Sequence, residues 1–250
     1  MRDETRILYG INPLLEYLQA DPRGILRLVI ASGRRGASVE KVLSLASRAG
    51  TPVVFEDRAV LDRLAGPVVH QGVVGFCRPF RYASLDDAMS NRSSELEGSV
   101  ILLVDGVTDP QNLGALIRSA CCLGAEGVVI PAHRAAGVTP AVIKASAGAA
   151  HHIPVVAVAN LVQTMEELKR RQYWIYGAHA GAGKDLEAIS FEGNVALVVG
   201  SEGKGLRPLV RRQCDVLCSV PMVGKIDSLN VSVATGIMLY AVFKALRRGV

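Results

Sequence analysis

Residues 100–132 read VILLVDGVTDPQNLGALIRSACCLGAEGVVIPA, and the fold turns on how they are parsed. VILLV is an unbroken apolar run of strand length, with no polar residue to mark a solvent face. NLGALIRSACCLG repeats its apolar residues at helical intervals and stops at Gly124, and EGVVIPA is a second strand-sized run. Strand, helix and strand in this order form the crossover of a parallel sheet with both faces covered.

The same alternation continues toward the C-terminus. PAVIKASAGAAHHI reads as a small-residue helix, VVAVAN as a strand, VQTMEELKRRQ as an amphipathic helix and YWIYGAHA as a strand. NVALVVGSEG is a strand running into a glycine loop, VLCSVPM is a last strand, and LNVSVATGIMLYAVFKALRR is an apolar helix expected to be largely buried. The fold class is therefore α/β with a mostly parallel sheet.

On the N-terminal side, residues 79–98 contain SNRSSELEG, the most polar stretch of the chain, and read as a linker. Before it lies a smaller α/β unit. INPLLEYLQA reads as a helix with Asn12 as cap ahead of Pro13, LRLVIA as a strand, SVEKVLSLASRAG as a helix ending at Gly50, and TPVVFE as a strand. RAVLDRLAG is a short helix and HQGVVGFCRPF a β-rich close. Two domains follow, 1–78 and 99–250, joined by 79–98.

The composition is that of a globular protein, 50% hydrophobic and 20% charged. Its apolar runs fall short of the roughly 18–20 residues of a membrane helix, so no span is expected. MRDETRILYG lacks the apolar core of a secretory signal. The five cysteines have neither metal-ligand spacing nor disulfide density, which points to a reducing cytoplasm. The histidines, including adjacent His151 and His152, make no metal-ligand pattern either, and no metal is expected. Net charge is +5, and most of the excess is N-terminal: 12 basic against 8 acidic residues through Tyr82, then 16 against 15. Arg34 and Arg35, just after a strand in that unit, are either solvated surface or a basic grip on phosphate. With only 5% aromatic residues there is no evident stacking platform for single strands of nucleic acid.

Ligands of such sheets collect at the carboxyl ends of the strands. The first loop there, DGVTDPQNLGALIRSA, offers Asn112 as a helix cap or a polar contact, and Arg118 as a solvated residue or a phosphate grip. In the second, VVGSEGKGL, glycines at 200, 203 and 205 free the backbone to present its own polar groups. Glu202 there either stabilises the next helix by its charge or orients a substrate. The loop lacks the spacing of a triphosphate or dinucleotide loop, which argues against a metabolic nucleotide enzyme. The third, VPMVGKIDSLNVSVATG, sets Ser228, Asn230 and Ser232 among apolar residues, more polar groups than one cap requires.

DPQNLGALIRSA, VVGSEGKGL and VPMVGKIDSLNVSVATG together resemble the three ordered motifs of the SpoU/TrmH family of RNA ribose 2′-O-methyltransferases, of the SPOUT class. The unit from GINPLLEYL to HQGVV resembles the small substrate-binding domain, similar to ribosomal protein L30e, that many members place first. The resemblance covers essentially the whole chain, and with it Arg34, Arg35 and His70 of the HQGVV segment become candidates for contact with RNA, folded RNA recognised by shape and backbone fitting the few aromatic residues better than single strands. It implies a trefoil-knotted catalytic domain, a homodimer, and S-adenosyl-L-methionine held by backbone groups at Gly200, Val220 and Leu229, with Met222 and Gly224 shaping the loop. Relatives often carry isoleucine at the Val220 position, a change that a backbone contact tolerates. For chemistry it implies Asn112, Arg118, Glu202, Ser228 and Asn230. Arg118 would be base or phosphate anchor; since a free guanidinium stays protonated at neutral pH, anchoring is the favoured role. Length, domain order and HQGVV look most like the bacterial enzymes that modify a guanosine of 23S rRNA. A tRNA guanosine enzyme, an rRNA adenosine enzyme and an inactive RNA-binding protein are the alternatives, and the intact set of motif residues argues against the last.

Overall fold

The computed structural model describes residues 6–181, 184–224 and 228–248. The first five residues, which begin the stretch read for a secretory signal, and residues 225–227 of the third motif lie outside the described residues. In chain order the elements are β1 (Arg6–Tyr9), α1 (Ile11–Ala20), β2 (Ile25–Ala31), α2 (Ala37–Ala49), β3 (Val53–Glu56), α3 (Arg58–Ala65) and β4 (Val73–Cys77). There follow α4 (Leu85–Ser90), β5 (Val100–Asp105), α5 (Pro110–Cys122), β6 (Gly127–Pro131), α6 (Pro140–Ala145), β7 (Val155–Val158) and α7 (Leu161–Arg170). The chain continues with β8 (Tyr173–Ala178), β9 (Lys184–Asp185), β10 (Asn194–Gly200), α8 (Pro208–Gln213), β11 (Val216–Ser219) and α9 (Val231–Leu246).

Two compact units result: residues 1–81 with 138–148, and residues 82–137 with 149–250. The first has a four-stranded mixed sheet, β1-β4-β2-β3, in which β4 runs antiparallel to both neighbours and β2 pairs parallel with β3. Leu28, Ile30 and Val73 face α1 and α2, whereas Val29 and Val74 meet Leu61 of α3, so alternation along the strands serves both faces. α2 ends as its sequence requires: Gly50 adopts the left-handed conformation (φ 69°) and its N–H returns to the carbonyls of Ala46 and Ser47.

The second unit holds a seven-stranded sheet, β7-β6-β5-β10-β8-β11-β9, parallel at every pairing. Every residue of β5 and β6 is buried, the physical reason their sequences carry no alternation. The strand order reverses direction between β5 and β10, and the carboxyl ends of these central strands, Asp105 and Gly200, lie in register side by side.

Several expectations change. α1 is capped by Gly10, and Asn12 lies inside the helix. The polar stretch read as linker is mostly structured within the second unit: Ser84 and Asp87 form a reciprocal capping box that starts α4, and Ala83 bridges to Val156. PAVIKASAGAAHHI is broken, because Ala147 and Gly148 both take positive φ (51° and 85°) after α6. The last helix buries one face through Met238, Leu239, Val242 and Leu246, yet leaves Val233, Ile237 and Tyr240 39–57% exposed. No helix among the described residues is long and apolar enough to cross a membrane.

Candidate active site

Three chain segments that follow the carboxyl ends of β5, β10 and β11 meet. The first is the start of α5. Asp109, not Asn112, caps this helix: its carboxylate accepts the N–H groups of Gln111 and Asn112 at 3.2 and 3.1 Å, with Pro110 in the first turn. Asn112 is thereby one turn inside the helix, 9% exposed, with its amide free to bond elsewhere.

The second segment is the glycine loop after β10. A Cβ at Gly200 would lie 2.1 Å from the carbonyl carbon of Gly205 and 2.4 Å from the nitrogen of Leu206, so only glycine lets the loop fold back here. The N–H of Gly205 donates to the Ser201 carbonyl at 2.9 Å, and that of Ser201 to the Gly205 carbonyl at 3.2 Å. Glu202 sits exposed at the tip. The third segment is the start of α9, capped by Asn230, whose Oδ1 accepts from the Ser232 N–H at 2.9 Å.

Asn230 joins all three. Its Nδ2 donates to Oδ1 of Asn112, 118 positions away in sequence, at 3.0 Å, and also to the Glu202 carboxylate. One polar residue from each of the three motifs thus enters a single hydrogen-bonded junction. Beside it is a cavity of about 480 Å³, within the usual range for a small-molecule site of roughly 300–1,000 Å³. Gly200, Glu202, Val220, Met222, Ser228 and Leu229 all line it. Gly224 is exposed and is not part of this lining, and Arg118 is exposed on α5, outside both the lining and the junction.

The walls suit S-adenosyl-L-methionine. Apolar side chains of Val220, Leu229 and Met238 can cover a nucleoside, while the folded-back glycine loop brings the chain at Gly200, Ser201, Gly203 and Gly205 against the same space. The Glu202 carboxylate is opposite in sign to the ligand's sulfonium and ammonium groups. Cys218, also in the wall, is no nucleophile: burial, aided by nearby Cys214, pushes its thiol up to about 12, so it stays protonated at neutral pH.

In the first unit, Arg34 and Arg35 are exposed. Arg34 is steered by the HQG loop, donating from Nε to the Gln71 carbonyl at 3.1 Å. His70 does not meet the expectation of direct RNA contact. It is 2% exposed; its Nδ1 accepts the Gly72 N–H at 3.0 Å and its Nε2 lies 2.7 Å from Asp62. Both ring nitrogens are occupied in holding the loop, so what reaches the surface is the neighbouring Gln71. Two features escaped the sequence reading: His179, which lines the cavity 3.4 Å from Arg211, and the pairing of Asp105 with Arg207. Among the described residues no cluster of three or more potential metal ligands occurs.

Comparison with known proteins identifies the family. Residues 99–240 match the SpoU rRNA Methylase family, and residues 7–83 match the RNA 2′-O ribose methyltransferase substrate binding family. The chain is 39% identical over 244 residues to the putative TrmH family tRNA/rRNA methyltransferase YacO of Bacillus subtilis, covering 98% of this chain and 97% of the relative. It is equally 39% identical over 247 residues to the 23S rRNA (guanosine-2′-O-)-methyltransferase RlmB of Ralstonia nicotianae, covering 98% and 96%. Among solved structures, the AdoMet complex of AviRb from Streptomyces viridochromogenes shares the fold, with a TM-score of 0.67 at 23% identity over 97% of this chain and 91% of that one. The AdoMet-bound rRNA methyltransferase of Sinorhizobium meliloti gives 0.61 at 26% identity over 96% and 87%. The chain belongs to the SpoU/TrmH family of SPOUT-class RNA ribose 2′-O-methyltransferases, and its cofactor is S-adenosyl-L-methionine.

Proposed function

We propose that this enzyme methylates the ribose 2′-oxygen of a guanosine in 23S rRNA, in the cytoplasm. The junction of Asn112, Glu202 and Asn230 beside the cavity carries the catalytic reading, because it gathers polar groups of three distant motifs at one edge of a cofactor-sized space. The choice of rRNA is supported by full-length relatives named for that reaction, at 39–40% identity in Ralstonia nicotianae and Xanthomonas campestris. tRNA is the second reading, favoured by the Bacillus subtilis relative named for either RNA. An rRNA adenosine target is the remaining alternative, and the inactive RNA-binding protein of the sequence reading is set aside by the family match.

In this reading Gly200, Val220 and Leu229 hold the cofactor, with Met222 and Gly224 shaping the loop between them, and the cofactor supplies a methyl group on a positively charged sulfur, already a good leaving group. Asn112, Glu202, Ser228 and Asn230 orient the ribose, and exposed Arg118 grips a neighbouring phosphate. Holding the 2′-oxygen in line with the methyl group supplies much of the rate. Residues 1–78 bind structured RNA through Arg34 and Arg35, and residues 99–250 catalyse. The segment through β11 and α9 threads a trefoil knot, a reading supported by the match of residues 99–240 to the SpoU family. The enzyme acts as a homodimer, for which Val233, Ile237 and Tyr240 supply an exposed apolar stripe.

Incubation with radiolabelled S-adenosyl-L-methionine and separate pools of unmodified rRNA and tRNA, followed by mapping of the labelled ribose, tests the proposal. Label at a guanosine of 23S rRNA supports it. Label confined to tRNA establishes the second reading, and no label in any pool, with cofactor binding verified, removes the catalytic one.

A further inference from the structure

Asp105 ends β5, and its side chain is fully buried at the centre of the sheet. A buried carboxylate is costly unless its oxygens are satisfied, and here both are used by one residue. Oδ2 accepts the backbone N–H of Arg207 at 2.8 Å and Oδ1 accepts Nε–H of the same residue at 2.6 Å. Arg207 is the last residue before α8, and its own side chain makes no capping bond there. It is also about half exposed, so its side chain is not a filler of the core.

The loop between these points starts at Gly200, which pairs in register with Asp105, and leaves at Arg207, which bonds to Asp105. Both ends are therefore referred to one buried carboxylate. Between them lie Ser201, Glu202, Gly203 and Gly205, all of which line the cavity. Asp105 itself is not among the lining residues, so any influence on a ligand passes through the loop.

We propose that Asp105 is a positioning residue for cofactor binding, clamping the backbone and side chain of Arg207 so that the 200–206 loop presents its groups to the cavity in binding geometry. The inference rests on the reading of this cavity as the cofactor site. Binding through backbone groups makes such a clamp consequential, because a recognition surface held loosely by its supporting residues loses affinity even when every ligand-touching residue is present.

The test is calorimetric titration of the full chain with S-adenosylhomocysteine, which binds without reacting, for wild type, Asp105→Ala, Arg207→Ala, the double variant and Gly200→Val. A clamp predicts a Kd raised about tenfold in Asp105→Ala, which leaves two donors unpaired, and less in Arg207→Ala, which keeps the backbone bond. The double variant should be no weaker than Asp105→Ala alone, since both lack the same side-chain arm. Binding stoichiometry separates the alternatives: a purely stabilising pair lowers the fraction of competent protein and leaves Kd unchanged. An unchanged Kd in Arg207→Ala overturns the proposal even where Asp105→Ala fails to fold. An unchanged Kd in Gly200→Val overturns the reading of the cavity itself, and with it the inference.

Discussion

Asn230 performs two tasks that one substitution can separate. Its Oδ1 caps α9 by accepting from the Ser232 N–H at 2.9 Å, and its Nδ2 donates to Asn112 at 3.0 Å and to Glu202. Asn230→Ala removes both: about 1 kcal/mol for the cap and about 1 kcal/mol for the bond to buried Asn112. The bond to exposed Glu202 adds little to stability because water screens it. Asn230→Asp keeps an excellent cap, with a charge the helix N-terminus favours. It also replaces a donor by an acceptor that faces the Asn112 oxygen and the Glu202 carboxylate, so the junction opens. Asn230→Asp is therefore expected to be more stable to urea than Asn230→Ala, by about 1 kcal/mol at equal m-value, yet to lose turnover. A misalignment worth about 2 kcal/mol at the transition state slows methyl transfer roughly thirtyfold. Urea midpoints and initial rates on the RNA substrate at saturating cofactor read both quantities. Full turnover in Asn230→Asp would refute the catalytic role of the junction, and equal stability of the two variants would refute the cap assignment.

Arg118→Ala should abolish turnover while leaving the Kd for S-adenosylhomocysteine at its wild-type value, because Arg118 lies outside the cavity lining; retained turnover removes it from the site. Neutralising Arg34 and Arg35 together should weaken RNA binding and flatten the plot of log K against log salt by about 0.7–0.9 for each phosphate no longer neutralised, with an unchanged slope counting against them. Ile237→Asp, in the exposed stripe of α9, should shift the light-scattering mass from dimer to monomer at micromolar concentration, and a monomeric wild type would defeat the dimer reading. Glu126 is buried between Ser99 and Tyr173, and burial raises its pKa above the ordinary value of 4.5. The folded state therefore holds this proton longer than the unfolded chain, and the stability it contributes is lost as pH rises from about 4.5 through the folded-state pKa. Glu126→Gln should gain on wild type across that interval in urea midpoints measured from about pH 4.5 to about pH 8, and a pH-independent difference would remove the linkage.

What could be read in advance follows burial. β5, β6 and β10 are enclosed on both faces, so their sequences are continuous apolar runs, and the parallel α/β class follows from them. β1 escaped because RILY is four residues long and follows a charged segment, too short a window for any period to register. α4 was hidden by its charges, although Ser84 and Asp87 already stood at capping-box spacing. The Asp109–Pro110 dipeptide likewise marked the true cap of α5, and reading it releases Asn112 for the junction. α9 shows a different limit: a helix apolar on every side does not declare which face its own chain covers, so Val233, Ile237 and Tyr240 looked buried until the fold left them exposed.

The site was legible as residue types and not as contacts, for a physical reason. Asn112, Glu202 and Asn230 lie on a helix, a loop and a helix cap that no local rule brings together; only the parallel sheet, by delivering β5 and β10 side by side with their carboxyl ends in register, does so. The same delivery explains Asp105. An acid at the end of an otherwise apolar run signals a buried charge needing a partner, but the partner stands 102 positions later, on the far side of the loop whose first residue pairs with that acid. Motif residues are found by pattern because they meet the ligand. The residues that hold them are found by asking of each buried polar atom what satisfies it, and at Asp105 the answer is the exit of the cofactor loop.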